Sequence, residues 1–322
     1  MTNTIWKKIN VGLGKETVRG TVVAPWLWTP KWTFDWDEKA EKIMDESAIG
    51  VIADAFEAHV VKKRAEGTLE TNLYANVVWY LLLSVFGSVS SSVKETTAYQ
   101  HDFAIAETNI HQSLTIAVAD DVQDKSFPLA MVNSMTISSA LGEFVKVSAE
   151  IRSKAPTDGA LTPSYATDYP LLGKHVKFKL ATNKAGLWAA PYITVKSVNL
   201  TISKNLVDDD VLGSVEPADF NNTLVGIEGD VELNRENETY LDLVNDGTKK
   251  AMLIEIIDAN TTIGASSNPT LKISLAKVVF TEIARSQGNG DIVKQTLSFK
   301  ALYSTWDTEM IEAILYNTTT SY

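Results

Sequence analysis

The residues whose types and spacing come nearest to chemistry are Gly12-Leu13-Gly14-Lys15-Glu16-Thr17, a glycine-bracketed lysine of the kind that cradles phosphate. The pattern fails at two mechanistic points. Ile9 stands where the first loop glycine is needed, and Glu16 stands where a Ser or Thr hydroxyl must reach magnesium. His59, His101, His111 and His175 share no ligand spacing, so packed or surface histidines are expected. Asp208-Asp209-Asp210 and Asp120-Asp121 lack the spaced carboxylates and closing Glu of a calcium loop, and read as solvated acidic turns. The chain has no cysteine, which removes disulfides, thiolate nucleophiles and thiolate metal sites. No Gly-x-Ser-x-Gly turn occurs, and nothing singles out one carboxylate pair as a glycosidase dyad. The sequence assigns no catalytic residue, no cofactor and no metal; an enzyme is the least supported class.

The elements that would position these residues carry more information, because one stretch occurs twice. Ala48–Glu70 and Leu212–Glu232 both run from a small apolar pair with Gly, through Ala-Asp and Phe, to Glu-Gly-x-(Leu/Val)-Glu. Gly50 matches Gly213, Phe56 matches Phe220, and Glu66-Gly67 matches Glu228-Gly229 at a nearly constant offset. A helical segment follows each copy. Tyr74–Phe86 is apolar nearly all round, with Asn72 a candidate N-cap, and Glu236–Asn245 has one apolar face. Strand-like Ser113–Ala119 is set against Leu271–Val278. Hairpins then close both copies: Met131–Ser138 with Phe144–Arg152, and Val278–Ala284 with Ile292–Lys300 around a turn at residues 287–291. In the last strands Val145, Val147, Ala149 and Ile151 align with Val293, Gln295, Leu297 and Phe299, and the period of two is that of a half-buried strand. The reading is a tandem duplication of a unit of roughly 110–125 residues, a size that can build its own core.

The 322 residues divide accordingly. Residues 1–27 read as an extended N-terminal arm, 28–153 as the first β unit, 154–191 as a proline-containing connector, 192–303 as the second unit and 304–322 as a C-terminal tail. The connector has one alternating stretch, His175–Leu180, suited to a hairpin or an edge strand. Trp26, Trp28, Trp32 and Trp36 are expected in a core or a subunit interface. Asp35–Ser47 reads as a solvated loop or short helix, with a contact loop as its functional reading. Lys62-Lys63-Arg64 reads as a solvated strand edge. A net charge of −11 argues against a surface built to hold nucleic acid. The start, MTNTIWKKIN, has no apolar signal region, and the longest apolar run, Val77–Leu83, is too short for a bilayer, so a soluble protein kept in a cytoplasm is expected.

Several short stretches, in order, resemble one family. Gly12-Leu13-Gly14-Lys15-Glu16-Thr17 and Arg19-Gly20-Thr21-Val22-Val23-Ala24-Pro25 are similar to the opening of tail tube (major tail) proteins of long-tailed phages with non-contractile tails. The similarity continues through Glu66-Gly67-Thr68-Leu69-Glu70, His101-Asp102-Phe103, Ser113-Leu114-Thr115-Ile116 and Leu212-Gly213-Ser214-Val215-Glu216-Pro217-Ala218-Asp219-Phe220. The first copy, with Ile49-Gly50-Val51-Ile52-Ala53, departs from the Gly-Ser-x-x-Pro of the second. The resemblance implies a mainly β fold: two tandem tail-tube-like β-sandwich or barrel units, each with a flanking α-helix, related to the tubes of type VI secretion. It implies a homo-oligomer in stacked rings, a structural virion protein whose lumen passes genome DNA. Three duplicated chains would make a pseudo-six-fold ring; six chains is the alternative. The implied partners are the tape measure protein and DNA in the lumen, and tail terminator and tip proteins, with no membrane. Assembly would occur in the host cytoplasm. Residues Gly12, Gly14, Glu16, Arg19, Gly20 and Pro25 of the arm, and Trp36, Asp37, Glu38 and Lys42 of the following loop, are the expected inter-ring or inter-subunit contacts. An acidic lumen that repels phosphate is expected. The alternative function is a β-sandwich adhesin or carbohydrate-binding surface protein, a class that calls for an export signal.

Overall fold

Alternating apolar residues and few helix-forming runs give a chain dominated by strands. The computed structural model describes residues 5–166, 168–286, 288 and 291–321. In chain order the elements of the first half are β1 (Asn10–Lys15), β2 (Leu27–Thr29), β3 (Thr33–Asp45), β4 (Glu57–Asn72), α1 (Val78–Phe86), β5 (Gly87–Glu95), β6 (Ala98–Ile105), β7 (Leu114–Ala119), β8 (Lys125–Ala140) and β9 (Lys146–Ser153). The short β10 (Thr157–Asp158) and β11 (Val176–Ala181) follow. The second half contains β12 (Ser197–Ser203), β13 (Val207–Asp209), β14 (Asp219–Asn221), β15 (Gly226–Asn234), α2 (Thr239–Asn245), β16 (Lys250–Ile257), β17 (Thr270–Ser286), β18 (Lys294–Ala301) and β19 (Ile311–Asn317).

All the described strands except the β13–β14 hairpin are joined by antiparallel pairing into one continuous 17-stranded sheet. It folds into two layers. The first has the order β3-β4-β9-β8-β12-β15-β18-β17. The second contains β5-β6-β19-β17-β16-β11 and, beside it, β2-β1-β7-β8. The long strands β8 and β17 belong to both layers. Each changes partners near a bulge, between Val132 and Ser134 in β8 and between Phe280 and Glu282 in β17. An extra residue at that point bends a strand and re-aims it, which is how a single strand turns a sandwich corner.

Within the first layer the order β3-β4-β9-β8 is followed by β12-β15-β18-β17, the same arrangement of chain elements. Gly67 on β4 faces Trp36, and a Cβ there would stand 1.9 Å from the Asp35 carbonyl oxygen; Gly229 on β15 faces Leu200, and its Cβ would stand 2.1 Å from the Asn199 carbonyl oxygen. Only glycine permits either approach. One apolar core runs through both halves, from Leu13, Leu69 and Ile151 to Leu200, Val231, Leu271 and Phe299. Strand pairs β8–β12 and β6–β19 also join the halves.

Helix α1 is shorter than expected, and all nine of its residues are buried against the sheet. It ends at Gly87, whose left-handed backbone (φ 81°) turns the chain directly into β5. Asn72 is not its cap: it ends β4 and accepts a hydrogen bond from the Trp32 indole. Helix α2 has no fully buried residue and packs Tyr240, Leu243 and Val244 against the core.

Four sequence expectations need correction. Residues 10–15, placed in an arm, form β1, where Val11 and Leu13 are fully buried and pair along β7. Asp35–Ser47, read as a loop or short helix, is mostly β3, extended because β4 supplies a partner along its whole length. The expected match of Ser113–Ala119 with Leu271–Val278 does not hold: the latter is the first half of β17, and the strand in the place of β7 is β16. Ile311–Asn317, placed in a tail, is β19, paired on both edges. Of the His175–Leu180 stretch, the residues from Val176 on pair with β16, and on the other side Phe178 makes a single antiparallel bridge to Ile193. The turn expected at residues 287–291 lies mostly outside the described residues.

Candidate assembly surface

The first layer turns one face to the core and leaves the other open. Because side chains alternate, the registers fix which residues are open: Asp35, Asp37, Lys39 and Glu41 on β3; Arg64, Glu66, Thr68 and Glu70 on β4; Ser148, Glu150 and Arg152 on β9. The row continues with Ser134, Thr136 and Ser138 on β8, Asn199, Thr201 and Ser203 on β12, and Glu228, Asp230 and Glu232 on β15. The face is polar throughout. Lys39 and Arg64 pair with Glu66, Lys294 pairs with Glu232, and Ser298 donates to Asp230 at 2.6 Å. The hydrogen bond from Lys39 and the nearby guanidinium charges hold the Glu66 carboxyl below its ordinary pKa against the opposing effect of burial. Among the described residues Asp35, Asp37 and Glu228 form no ion pair.

Both ends of this layer are open edges. Among the described strands β3 pairs only with β4. Beyond Val278, β17 pairs only with β18, so residues 279–286 have one unpaired side among the described strands. Unpaired N–H and C=O groups in a row are a template for another strand. Past Lys42 the β3–β4 hairpin carries an exposed apolar tip that includes Ile43, Met44, Ile49, Val51, Ile52 and Phe56.

The expected contact residues separate into two groups. Gly12, Gly14 and Glu16 lie inside the protein. A Cβ on Gly12 would stand 2.7 Å from the Cβ of Pro25, and one on Gly14 would stand 2.9 Å from the Val23 side chain, so these glycines let residues 23–25 cross β1. The Glu16 carboxylate is buried and accepts from the Leu129 and Gly20 N–H groups and the Ser113 and Thr115 hydroxyls. It is a structural anchor that needs no base, because four donors satisfy it. Arg19 forks onto Asp219 and also donates to the His111 and Phe220 carbonyls, tying the N-terminal segment to the second half. Gly20 and Pro25 are half-buried. Trp36 is half-buried against Phe34 and Phe127. Asp37, Glu38 and Lys42 are exposed on the open edge strand.

The four tryptophans also divide: Trp28 is buried, Trp36 is half-buried, and Trp26 and Trp32 are exposed. The two charge runs read as solvated meet each other. Asp208, almost buried, takes Lys62 at 2.8 Å, Arg64 at 3.2 Å and Arg152 at 3.3 Å, and Lys62 also reaches Asp210. Burial raises the Asp208 pKa, but the Lys62 hydrogen bond and the three cations outweigh it and hold it below the ordinary value. Sequence reasoning missed this cluster and the β17 edge, since each depends on a partner far along the chain.

His101 contacts Ser91 and Asn317, and His111 contacts the Val85 and Ala106 carbonyls; burial lowers the pKa of both rings. Among the described residues no group of three or more His, Asp or Glu could hold a metal ion, and no helix is long and apolar enough to cross a membrane.

The long hairpin, the polar open face and the two unpaired edges of the first layer define a mainly β protein with surfaces of the kind used in self-association. A family model for phage tail tube proteins matches residues 6–301, and the chain belongs to that family. No curated protein matches the chain.

Proposed function

We propose that the chain is a duplicated tail tube unit that self-assembles into stacked rings, three chains to a pseudo-six-fold ring, enclosing a conduit for genome ejection. The observation that carries this reading is the joint between β8 and β12 inside the chain, flanked on either side by the same four-strand order. Two equivalent units already meet there head to tail. The edges left over, β17 and β3, are the counterparts of β8 and β12, so further chains can add by the same contact. A head-to-tail contact generates a ring when its rotation closes, and closure removes the exposed edges.

In such a ring the open face of the first layer would line the lumen. Its carboxylates would repel phosphate and its Lys and Arg are mostly engaged by neighbouring acids, so a duplex could slide without being held. The tape measure protein and DNA would occupy the lumen in turn, with terminator and tip proteins closing the ends; assembly would take place in the host cytoplasm. Cryo-electron microscopy of purified assemblies tests the stoichiometry. Rings with three chains and strong pseudo-six-fold features are expected. Six chains per ring with true six-fold symmetry would refute the duplicated-ring reading, and a basic inner wall would refute the lumen assignment.

A further inference from the structure

We infer that the joint between successive chains has one register, with Lys39 of one copy opposite Glu282 of the next, Asp37 opposite Ala284, and Asp35 opposite Ser286. This inference rests on the proposed ring and adds its residue pairing. Two independent marks in the fold determine it. On β3, the glycine approach aligns the repeats: Gly67 faces Trp36 and Gly229 faces Leu200. Trp36 is therefore the counterpart of Leu200, Asp37 of Thr201 and Lys39 of Ser203. On β17, the bulge aligns them: the ladder skips from Val132 to Ser134 against Ile151 and Glu150, and from Phe280 to Glu282 against Phe299 and Ser298. Ser134 is therefore the counterpart of Glu282, and Thr136 of Ala284. Inside the chain Ser203 faces Ser134 and Thr201 faces Thr136, with the two threonine hydroxyls 2.9 Å apart. Carrying those pairs to the outer edges gives Lys39 with Glu282 and Asp37 with Ala284.

The charges select the same register. On the open face of β3 the sequence of side chains is Asp35, Asp37, Lys39, Glu41. Lys39 is the one base among them. Sliding the joint by two residues in either direction sets Asp37 or Glu41 against Glu282, and like charges directly opposite are destabilising. Sliding by one residue would set the β3 side that carries Phe34 and Trp36, which pack against the core, onto the open face, and the alternation of the pleat excludes it. The internal joint, built from hydroxyls, needs no such selection because the chain itself holds it in place; the joint between chains must choose its own partner, and a lone base among acids does so.

The absence of cysteine gives a clean test. Asp37→Cys/Ala284→Cys in the full chain should oxidise to disulfide-linked multimers on non-reducing gels, since directly opposite Cβ atoms lie within disulfide reach. Asp37→Cys/Glu282→Cys, the pair set two residues out of register, should cross-link far less. Separately, Glu282→Lys should weaken assembly about fivefold per joint by facing Lys39, and adding Lys39→Glu should restore it. Preferential cross-linking of the out-of-register pair in intact rings would overturn the register and leave the ring reading standing, as would failure of the charge exchange to rescue rings in a folded chain. Wild-type protein that forms no rings under microscopy would instead overturn the underlying reading.

Discussion

Gly67 and Gly229 stand where a neighbouring carbonyl comes too close for any side chain. Replacing either by Ala sets a methyl carbon against backbone that a β ladder holds rigid, so Gly67→Ala and Gly229→Ala should each cost about 3 kcal/mol, at the upper end for overpacked sites. Urea unfolding of both variants checks this, and similar losses are expected because the local geometry is the same. Lys204 is the other decisive residue. It is fully buried, its ammonium donating to the Ser84 carbonyl at 2.7 Å. Burial, with a smaller effect from the Arg19 charge, lowers its pKa to about 7. The unfolded chain holds that proton up to the ordinary lysine range, so between about pH 7 and 10 the unfolded state binds more protons than the folded state. Stability should therefore rise with pH in that window, by ~1.4 kcal/mol per unit from this group, and the full penalty applies below it. Lys204→Met should flatten the slope; unfolding of both proteins at pH 7, 8 and 9 measures the difference.

At the scale of elements, the β3–β4 hairpin is the exceptional piece. Along β4 its inner part is core, with Ala65 and Leu69 buried, while its outer part presents Ile43, Ile49, Val51 and Ile52 to solvent. An exposed apolar cluster on a long arm marks an interaction surface. Phe56, exposed here, corresponds in sequence to Phe220, which is fully buried against Leu129, Met131 and Leu206. The connection that carries Phe220 folds back over the protein, whereas the β3–β4 tip that carries Phe56 stays extended. On the tube reading the tip bridges successive rings. Ile52→Asp should leave urea stability within about 0.5 kcal/mol, since the side chain touches nothing that stabilises the monomer, and should shorten tubes measured by negative-stain microscopy. Tubes of normal length would remove the tip from the inter-ring contact. The former candidates in β1 cannot serve there, because their side chains and backbone are already committed within the sheet.

At the scale of the whole molecule, the halves share one core and two strand joints. A chain cut between them would expose the β8 edge on one side and the β12 edge on the other, each bordered by apolar surface. Residues 1–153 expressed alone should aggregate or lack a cooperative unfolding transition, checked by gel filtration and circular dichroism; a soluble, cooperatively folding half would show that the shared core is dispensable. Within the first layer the same continuity leaves open edges at its two outermost strands, β3 and β17.

The sequence by itself determined the strand-rich class, the hairpin β8–β9, the existence of both helices and the family, because alternation and turn residues are local properties that need no partner to be read. It also singled out Glu66-Gly67 and Glu228-Gly229, whose glycines prove to be positions where the facing strand leaves no room for a Cβ. Tertiary structure decided the rest. Whether Gly12–Lys15 is an arm or a core strand depends on β7, about a hundred residues away. Whether Lys62 and Asp208 are solvated or paired depends on how the second half folds across the first. Which of two extended strands is an edge depends on which ladders remain unfilled. Each is a non-local contact, and a charge or an apolar residue reads the same in the sequence whether its partner lies in the core, in water or on another chain.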